Sequence, residues 1–125
     1  MMNRTEVARF LAERDRFCIL THRRPDGDTV GSATALCMGL RKLGKQAWVL
    51  DNPEFTPRFA YLYEGLTKTV PEEGDVLVST DVASPNMLPK VSPSGRRWVR
   101  MAKPSLAARN AAVSTLVSFF IFLYL

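Results

Sequence analysis

Histidine is the residue that this sequence has least of: His22 is the only one among 125 residues. The sequence has two cysteines and no cysteine pair at the spacing of a zinc ligand set, so it does not predict a structural zinc site. It also lacks the motifs G-x-G-x-x-G and G-x-x-x-x-G-K-[ST], so neither of the common glycine-rich phosphate loops is indicated.

Acidic residues are missing from the C-terminal third of the chain. Residues 1–85 contain 11 Lys and Arg against 12 Asp and Glu, a net charge of −1, whereas residues 86–125 contain 6 basic residues and no acid. The overall charge of +5 therefore belongs to the C-terminal segment. A uniformly basic face for nucleic-acid backbones is not supported.

Long apolar runs are also scarce. The run that follows Asn110 has 15 residues, fewer than the roughly 20 that span a bilayer. The N-terminus shows no secretory signal sequence, so we expect a cytoplasmic protein in which Cys18 and Cys37 are reduced and buried. Membrane contact by the tail is disfavoured, although a tail anchor at 106–125 remains an alternative.

Helical and extended patterns alternate over residues 5–81. We predict helices at 5–14, 32–43 and 57–64, and strands at 17–20, 47–50 and 75–81. Thr5 and Ser32 are the predicted N-caps, and Gly44 is predicted to end the second helix. Strands joined by helices predict an α/β fold, a Rossmann-like three-layer structure with a parallel sheet.

Acidic residues and the single histidine follow two of these strands. His22, Asp26 and Asp28 lie in the loop after the first strand, and Asp81 ends the third strand. The stretch RPDGD is a good turn sequence in its own right, so a plain turn is the simplest interpretation. The carboxyl ends of parallel strands share one edge of the sheet, however, and carboxylates with an imidazole suit Mn²⁺ or Mg²⁺. For Asp81 to come close to Asp26 and Asp28, the predicted strand order is 2-1-3.

Three segments resemble the N-terminal part of the DHH-type phosphoesterases: THRRPDGDTVGSATALCMGLRKLGK, DNPEFTPRFAYL and DVLVSTDVAS. The branch that they resemble is the bifunctional oligoribonucleases and 3′-phosphoadenosine-5′-phosphate phosphatases (nano-RNases). The resemblance covers about residues 5–85. It implies a site for two Mn²⁺ ions, with short RNA or 3′-phosphoadenosine-5′-phosphate as the substrate and no indicated protein partner.

The resemblance also implies a role for each of the candidate ligands. His22 and Asp26 would hold one metal, Asp28 would hold the other, and Asp81 would bridge both. Gly31 would allow close backbone packing, and the helix predicted from Ser32 would direct its positive end towards the anionic site.

The sequence departs from the family after about residue 85. With one histidine in total, it lacks the Asp-His-His motif and the C-terminal substrate-binding domain. We therefore expect residues 1–85 to form a partial, truncated DHH domain. Residues 86–125 are expected to be a disordered or frameshift-derived tail that does not join the sheet. The predicted protein is an inactive copy of a hydrolase, and a non-catalytic metal- or nucleotide-binding remnant is the alternative.

Overall fold

The computed structural model describes residues 3–82, 85–88, 99–100 and 122–124. The α-helices are α1 (Arg4–Glu13), α2 (Gly27–Lys42) and α3 (Ala60–Tyr63), and 3₁₀ turns lie at Pro57–Phe59 and Pro85–Met87. The strands are β1 (Phe17–Leu20), β2 (Ala47–Leu50), β3 (Thr67–Lys68), β4 (Val76–Ser79), β5 (Val99–Arg100) and β6 (Phe122–Tyr124).

The sheet has the order β3-β2-β1-β4-β6-β5, and its first four strands are all parallel. Strand β1 lies between β2 and β4, with Phe17 opposite Ala47 on one side and opposite Val76 on the other. The predicted α/β fold and the order 2-1-3 are confirmed, with β4 as the third predicted strand. The two-residue strand β3 was not predicted, because two residues are too few to show an alternating pattern.

The strands β1, β2 and β4 are buried on both faces of the sheet except at Trp48, which is why they consist almost entirely of apolar residues. One face packs against helices and contains Phe17, Ile19, Ala33, Cys37, Leu40, Ala47, Val49, Val76 and Val78. Val7 and Phe10 of α1 and Leu36 of α2 pack against this face. The second face contains Cys18, Leu20, Leu50, Leu77, Val82 and Leu88.

The two cysteines are buried and free, as predicted. Burial raises the pKa of the Cys18 thiol to about 12, and the nearby negative charge of Asp75 adds to the effect. A thiol with such a pKa is protonated at neutral pH and is a poor nucleophile. The cysteines therefore belong to the core.

Helix α1 begins one residue earlier than predicted, because Asn3 rather than Thr5 is its N-cap. The Asn3 side chain accepts a hydrogen bond from the Glu6 N–H at 2.9 Å, and the Glu6 carboxylate accepts one from the Asn3 N–H at 2.6 Å. This reciprocal pair is a capping box. Thr5 lies within the first turn of the helix.

Two short segments of the tail pair with the sheet. Strand β6 is antiparallel to β4, with Leu123 opposite Val78, and β5 is antiparallel to β6. The expectation that residues 86–125 stay outside the sheet is therefore wrong for the five residues of β5 and β6. The structure therefore does not support the predicted frameshifted origin of residues 86–125. That origin stays a prediction, and reading the gene in all three frames would test it.

Among the residues that the structure describes, no helix has the length and apolar character needed to cross a bilayer. Most of the proposed anchor at 106–125 lies outside those residues.

Candidate metal centre

The loop after β1 carries His22 and is fastened to the end of β2. Asn52, which follows β2 and is only 5% exposed, donates from its Nδ2 to the Thr21 hydroxyl at 3.1 Å and to the His22 carbonyl oxygen at 3.0 Å. These bonds hold the backbone of His22 at the carboxyl end of the parallel strands. Sequence reasoning missed Asn52, although its position after β2, at the same edge as His22, was a usable signal.

Asp26 has a second task as the N-cap of α2. Its Oδ1 accepts hydrogen bonds from the backbone N–H groups of Asp28 at 3.1 Å and Thr29 at 3.0 Å. Helix α2 therefore begins at Gly27, five residues before the predicted start at Ser32. The expected N-cap role of Ser32 is wrong, and the positive end of the helix macrodipole lies at Asp26.

The two glycines of this loop and helix differ in what surrounds them. A Cβ atom at Gly31 would meet nothing within 4 Å, so the expected close backbone approach at Gly31 is wrong. A Cβ atom at Gly27 would lie 3.2 Å from the Phe59 ring. A side chain at residue 27 would therefore require the Phe59 ring to shift by a few tenths of an ångström.

Asp81 approaches the same place from β4. It is two residues beyond the end of the strand and has φ = 55°, in the left-handed region that aspartate tolerates better than most residues. His22, Asp26 and Asp81 each offer a ligand atom, and these atoms lie within 4.8 Å of one another. The His22 Nε2 is 3.8 Å from the Asp26 Oδ1. The predicted proximity of Asp81 to Asp26 is confirmed.

Asp28 stands apart from this group. Its side chain is exposed in the first turn of α2, and it is not among the three residues whose ligand atoms converge within the described chain. Its negative charge nevertheless affects the pKa of Asp81. Burial raises the pKa of the Asp81 carboxyl, repulsion from Asp28 and then Asp26 raises it further, and His22 acts in the opposite direction.

The group of three has the composition of a hard-metal site. An imidazole nitrogen and two carboxylates are donors that suit Mn²⁺, and carboxylates alone would favour Mg²⁺ or Ca²⁺. The unfavourable charge on Asp81 is the kind that a divalent cation would neutralise. The donor set therefore fits a divalent metal ion.

A cleft of about 560 Å³ opens beside the centre, lined by His22, Arg23, Arg24, Glu54 and Met87. His22 belongs to both the cleft and the group of three. A small ligand in the cleft would therefore lie next to the candidate metal position.

The structure thus defines a parallel α/β sheet with an imidazole and two carboxylates at the carboxyl ends of neighbouring strands, the edge at which such sheets bind ligands. The chain is 38% identical over 81 residues to the bifunctional oligoribonuclease and PAP phosphatase NrnA of Thermus thermophilus. The match covers 62% of this chain and 24% of that protein, so it spans about a quarter of the relative's length. It supports a distant relation of the N-terminal part to the DHH family.

No protein-family model matches the chain, and no solved structure matches it significantly.

Proposed function

We propose that residues 3–82 are the metal-binding part of a DHH-type phosphoesterase that acts on short oligoribonucleotides or on 3′-phosphoadenosine-5′-phosphate. The observation that carries the proposal is the convergence of His22, Asp26 and Asp81 within 4.8 Å, in a chain related to NrnA. The metal that we propose is Mn²⁺, because imidazole accompanies the carboxylates.

Each candidate ligand has a proposed position. His22, Asp26 and Asp81 hold the first metal, and Asp28 and Asp81 hold the second. A bound pair of metals would polarise the phosphoryl group and lower the pKa of a water molecule. Asp26 is kept in place by the two N–H groups at the start of α2, and the peptide dipoles of α2 favour an anionic substrate at that end.

The two positions differ in how many side chains this sequence supplies. The first has three ligands and the second has two, and the 125 residues contain no Asp-His-His motif. We therefore propose that the chain alone binds one Mn²⁺ and turns over slowly or not at all. If the chain has no turnover at all, it is a non-catalytic remnant that binds metal or nucleotide.

The metal position is tested by titrating the chain with Mn²⁺ and measuring free Mn²⁺ by electron paramagnetic resonance. We expect one site of higher affinity, weakened by at least about tenfold in Asp81→Asn. The matched control is Asp51→Asn, because Asp51 directly follows β2, is exposed and forms no side-chain hydrogen bond within the described residues. Equal affinities in the two variants would contradict the proposed site.

The reaction is tested with a short RNA and with 3′-phosphoadenosine-5′-phosphate as separate substrates in the presence of Mn²⁺. We expect metal binding without the turnover of a two-metal enzyme. Rapid turnover that is abolished by Asp28→Ala would show that Asp28 and Asp81 suffice for the second metal. It would overturn the proposed separation of metal binding from turnover and leave the metal site intact.

A further inference from the structure

Two neighbouring arginines line the cleft beside His22. Arg23 and Arg24 directly follow His22, and both are exposed. Across residues 3–82 and 85–88, neither guanidinium forms a salt bridge or a side-chain hydrogen bond. By contrast, Arg16 is bound to Glu72 and Asp75, and Arg41 is bound to the carbonyl oxygen of Ala47.

The backbone that carries these arginines is fixed at two points. The Arg23 N–H donates to the Met87 carbonyl oxygen at 2.8 Å, and the His22 carbonyl oxygen accepts from Asn52 at 3.0 Å. The arginines are therefore presented from an anchored loop rather than from a free one. Less conformational freedom of the backbone is lost when such a loop binds a ligand.

The walls of the cleft are suited to a nucleotide. Its volume of about 560 Å³ lies within the usual range for small-molecule sites. Met87 is 37% exposed and offers an apolar surface, and the Glu54 carboxylate can accept a hydrogen bond from a hydroxyl group. The two arginines outnumber this one acid, so an anionic group is favoured at their end.

We infer that Arg23 and Arg24 bind the second phosphate of a nucleotide whose first phosphate lies at His22, Asp26 and Asp81. This inference rests on the proposed function, because it takes the group of three as the place of the reacting phosphate. A guanidinium binds phosphate through two parallel N–H donors, and two adjacent guanidinium groups match its charge. The pair would thus distinguish a nucleoside bisphosphate from a monophosphate.

The test compares ligand affinities of the full chain by calorimetry in the presence of Mn²⁺. The ligands are adenosine 3′,5′-bisphosphate and the two monophosphates, adenosine 3′-phosphate and adenosine 5′-phosphate. We expect roughly tenfold tighter binding of the bisphosphate, corresponding to a charge-assisted pair of hydrogen bonds. The double variant Arg23→Gln, Arg24→Gln is expected to remove this preference.

The matched control is the double variant Arg4→Gln, Arg9→Gln, which removes the same charge from exposed positions of α1. It should keep the preference for the bisphosphate. A preference that survives in the Arg23, Arg24 variant would overturn the inference. An equal loss for all three ligands would overturn it as well, since this would indicate general attraction of anions such as an RNA backbone.

Mn²⁺ titration of the same variants separates this inference from the proposed function. If Mn²⁺ binds and the preference does not depend on Arg23 and Arg24, the inference fails alone. If Mn²⁺ binding does not depend on Asp81 but the arginine-dependent preference is retained in EDTA, the proposed metal site fails, and the binding of a second phosphate by the two arginines stands.

Discussion

Two groups of charged residues lie at opposite ends of the central strands. The pKa of an aspartate is lowered in the first group and raised in the second. At the amino end, Arg16 precedes β1 and Asp75 precedes β4. The Arg16 Nη2 lies 3.2 Å from the Asp75 Oδ1, and the Lys68 Nζ lies 3.0 Å from the Asp75 Oδ2. Glu72 completes this group, which we call the amino-end cluster.

At the carboxyl end, the acids are not compensated in this way. Asp28 and Asp26 both raise the pKa of the Asp81 carboxyl, and the imidazole of His22 opposes their effect. Arg23 and Arg24 are close in sequence but form no salt bridge with described residues. Burial, the largest cause, and these two acids together raise the pKa of the Asp81 carboxyl.

Asp75 shows the contrast, because it is also buried. Burial alone would raise the pKa of its carboxyl. The Glu72 N–H and the Lys68 ammonium group more than offset this effect, and the pKa of Asp75 is lowered. A buried acid that is bonded to basic partners stabilises the fold. A cluster of acids without such partners instead favours the binding of a cation. The direction of the pKa shift thus separates the structural group from the candidate site.

The largest effect on stability is expected from Asp75→Asn. The Asp75 side chain is 4% exposed, and the change leaves the Lys68 ammonium without its closest partner. We expect a loss of about 3 kcal/mol in the free energy of unfolding. Urea denaturation measures this loss. Glu73→Gln, at an exposed neighbour without a bonded partner in the described chain, should change stability little. Similar losses in the two variants would refute the role of the amino-end cluster.

Removal of the metal ion is expected to have the next largest effect, at the opposite end of the strands. At a Mn²⁺ concentration of 100 times Kd, binding should add about 2.7 kcal/mol to the free energy of unfolding. EDTA should abolish this gain, and so should His22→Ala. Thermal unfolding with and without Mn²⁺ measures it. A gain that persists in His22→Ala would mean that Mn²⁺ is bound somewhere else.

The third prediction concerns pH. Because the pKa of Asp75 is lower in the folded chain than in the unfolded one, its contribution to stability is present above the unfolded value of about 3.9. It is lost as the pH falls through the folded value. The stability difference between the unsubstituted chain and Asp75→Asn should therefore be constant from pH 7 to about pH 5 and shrink below about pH 4. A difference that grows in acid would contradict the assignment.

The smallest predicted effect has the opposite sign. In the absence of metal, Asp81→Asn should stabilise the chain by about 0.5 kcal/mol, because it removes a charge that burial and two neighbouring acids disfavour. Asparagine also tolerates the positive φ of this position. With Mn²⁺ present, the same variant should be less stable than the unsubstituted chain. Asp51→Asn should show neither change. Calorimetric unfolding of the unsubstituted chain and the two variants, with and without Mn²⁺, measures these differences. The prediction fails if Asp81→Asn has the same effect on stability in both conditions.

Much of the parallel sheet could be predicted from local patterns in the sequence. The apolar runs at 17–20 and 47–50 predicted β1 and β2 with their correct bounds, and 75–81 contained β4. The position of His22 and the acids after strands predicted which edge they share. These features are local: a fully apolar strand shows that it is buried on both faces, and a residue that follows it must lie at its end.

The pairing of distant segments could not be predicted from such patterns and is seen in the folded chain. The contact of Arg23 with Met87, the bonds from Asn52 to the His22 loop and the burial of Asp75 join residues far apart in the chain. The same holds for β6 beside β4. The start of α2 also differs from the predicted one, because the capping bonds form at Asp26 and not at Ser32. Local sequence patterns reveal periodicity and helix caps. Which groups come into contact across a sheet depends on the tertiary fold of the whole chain.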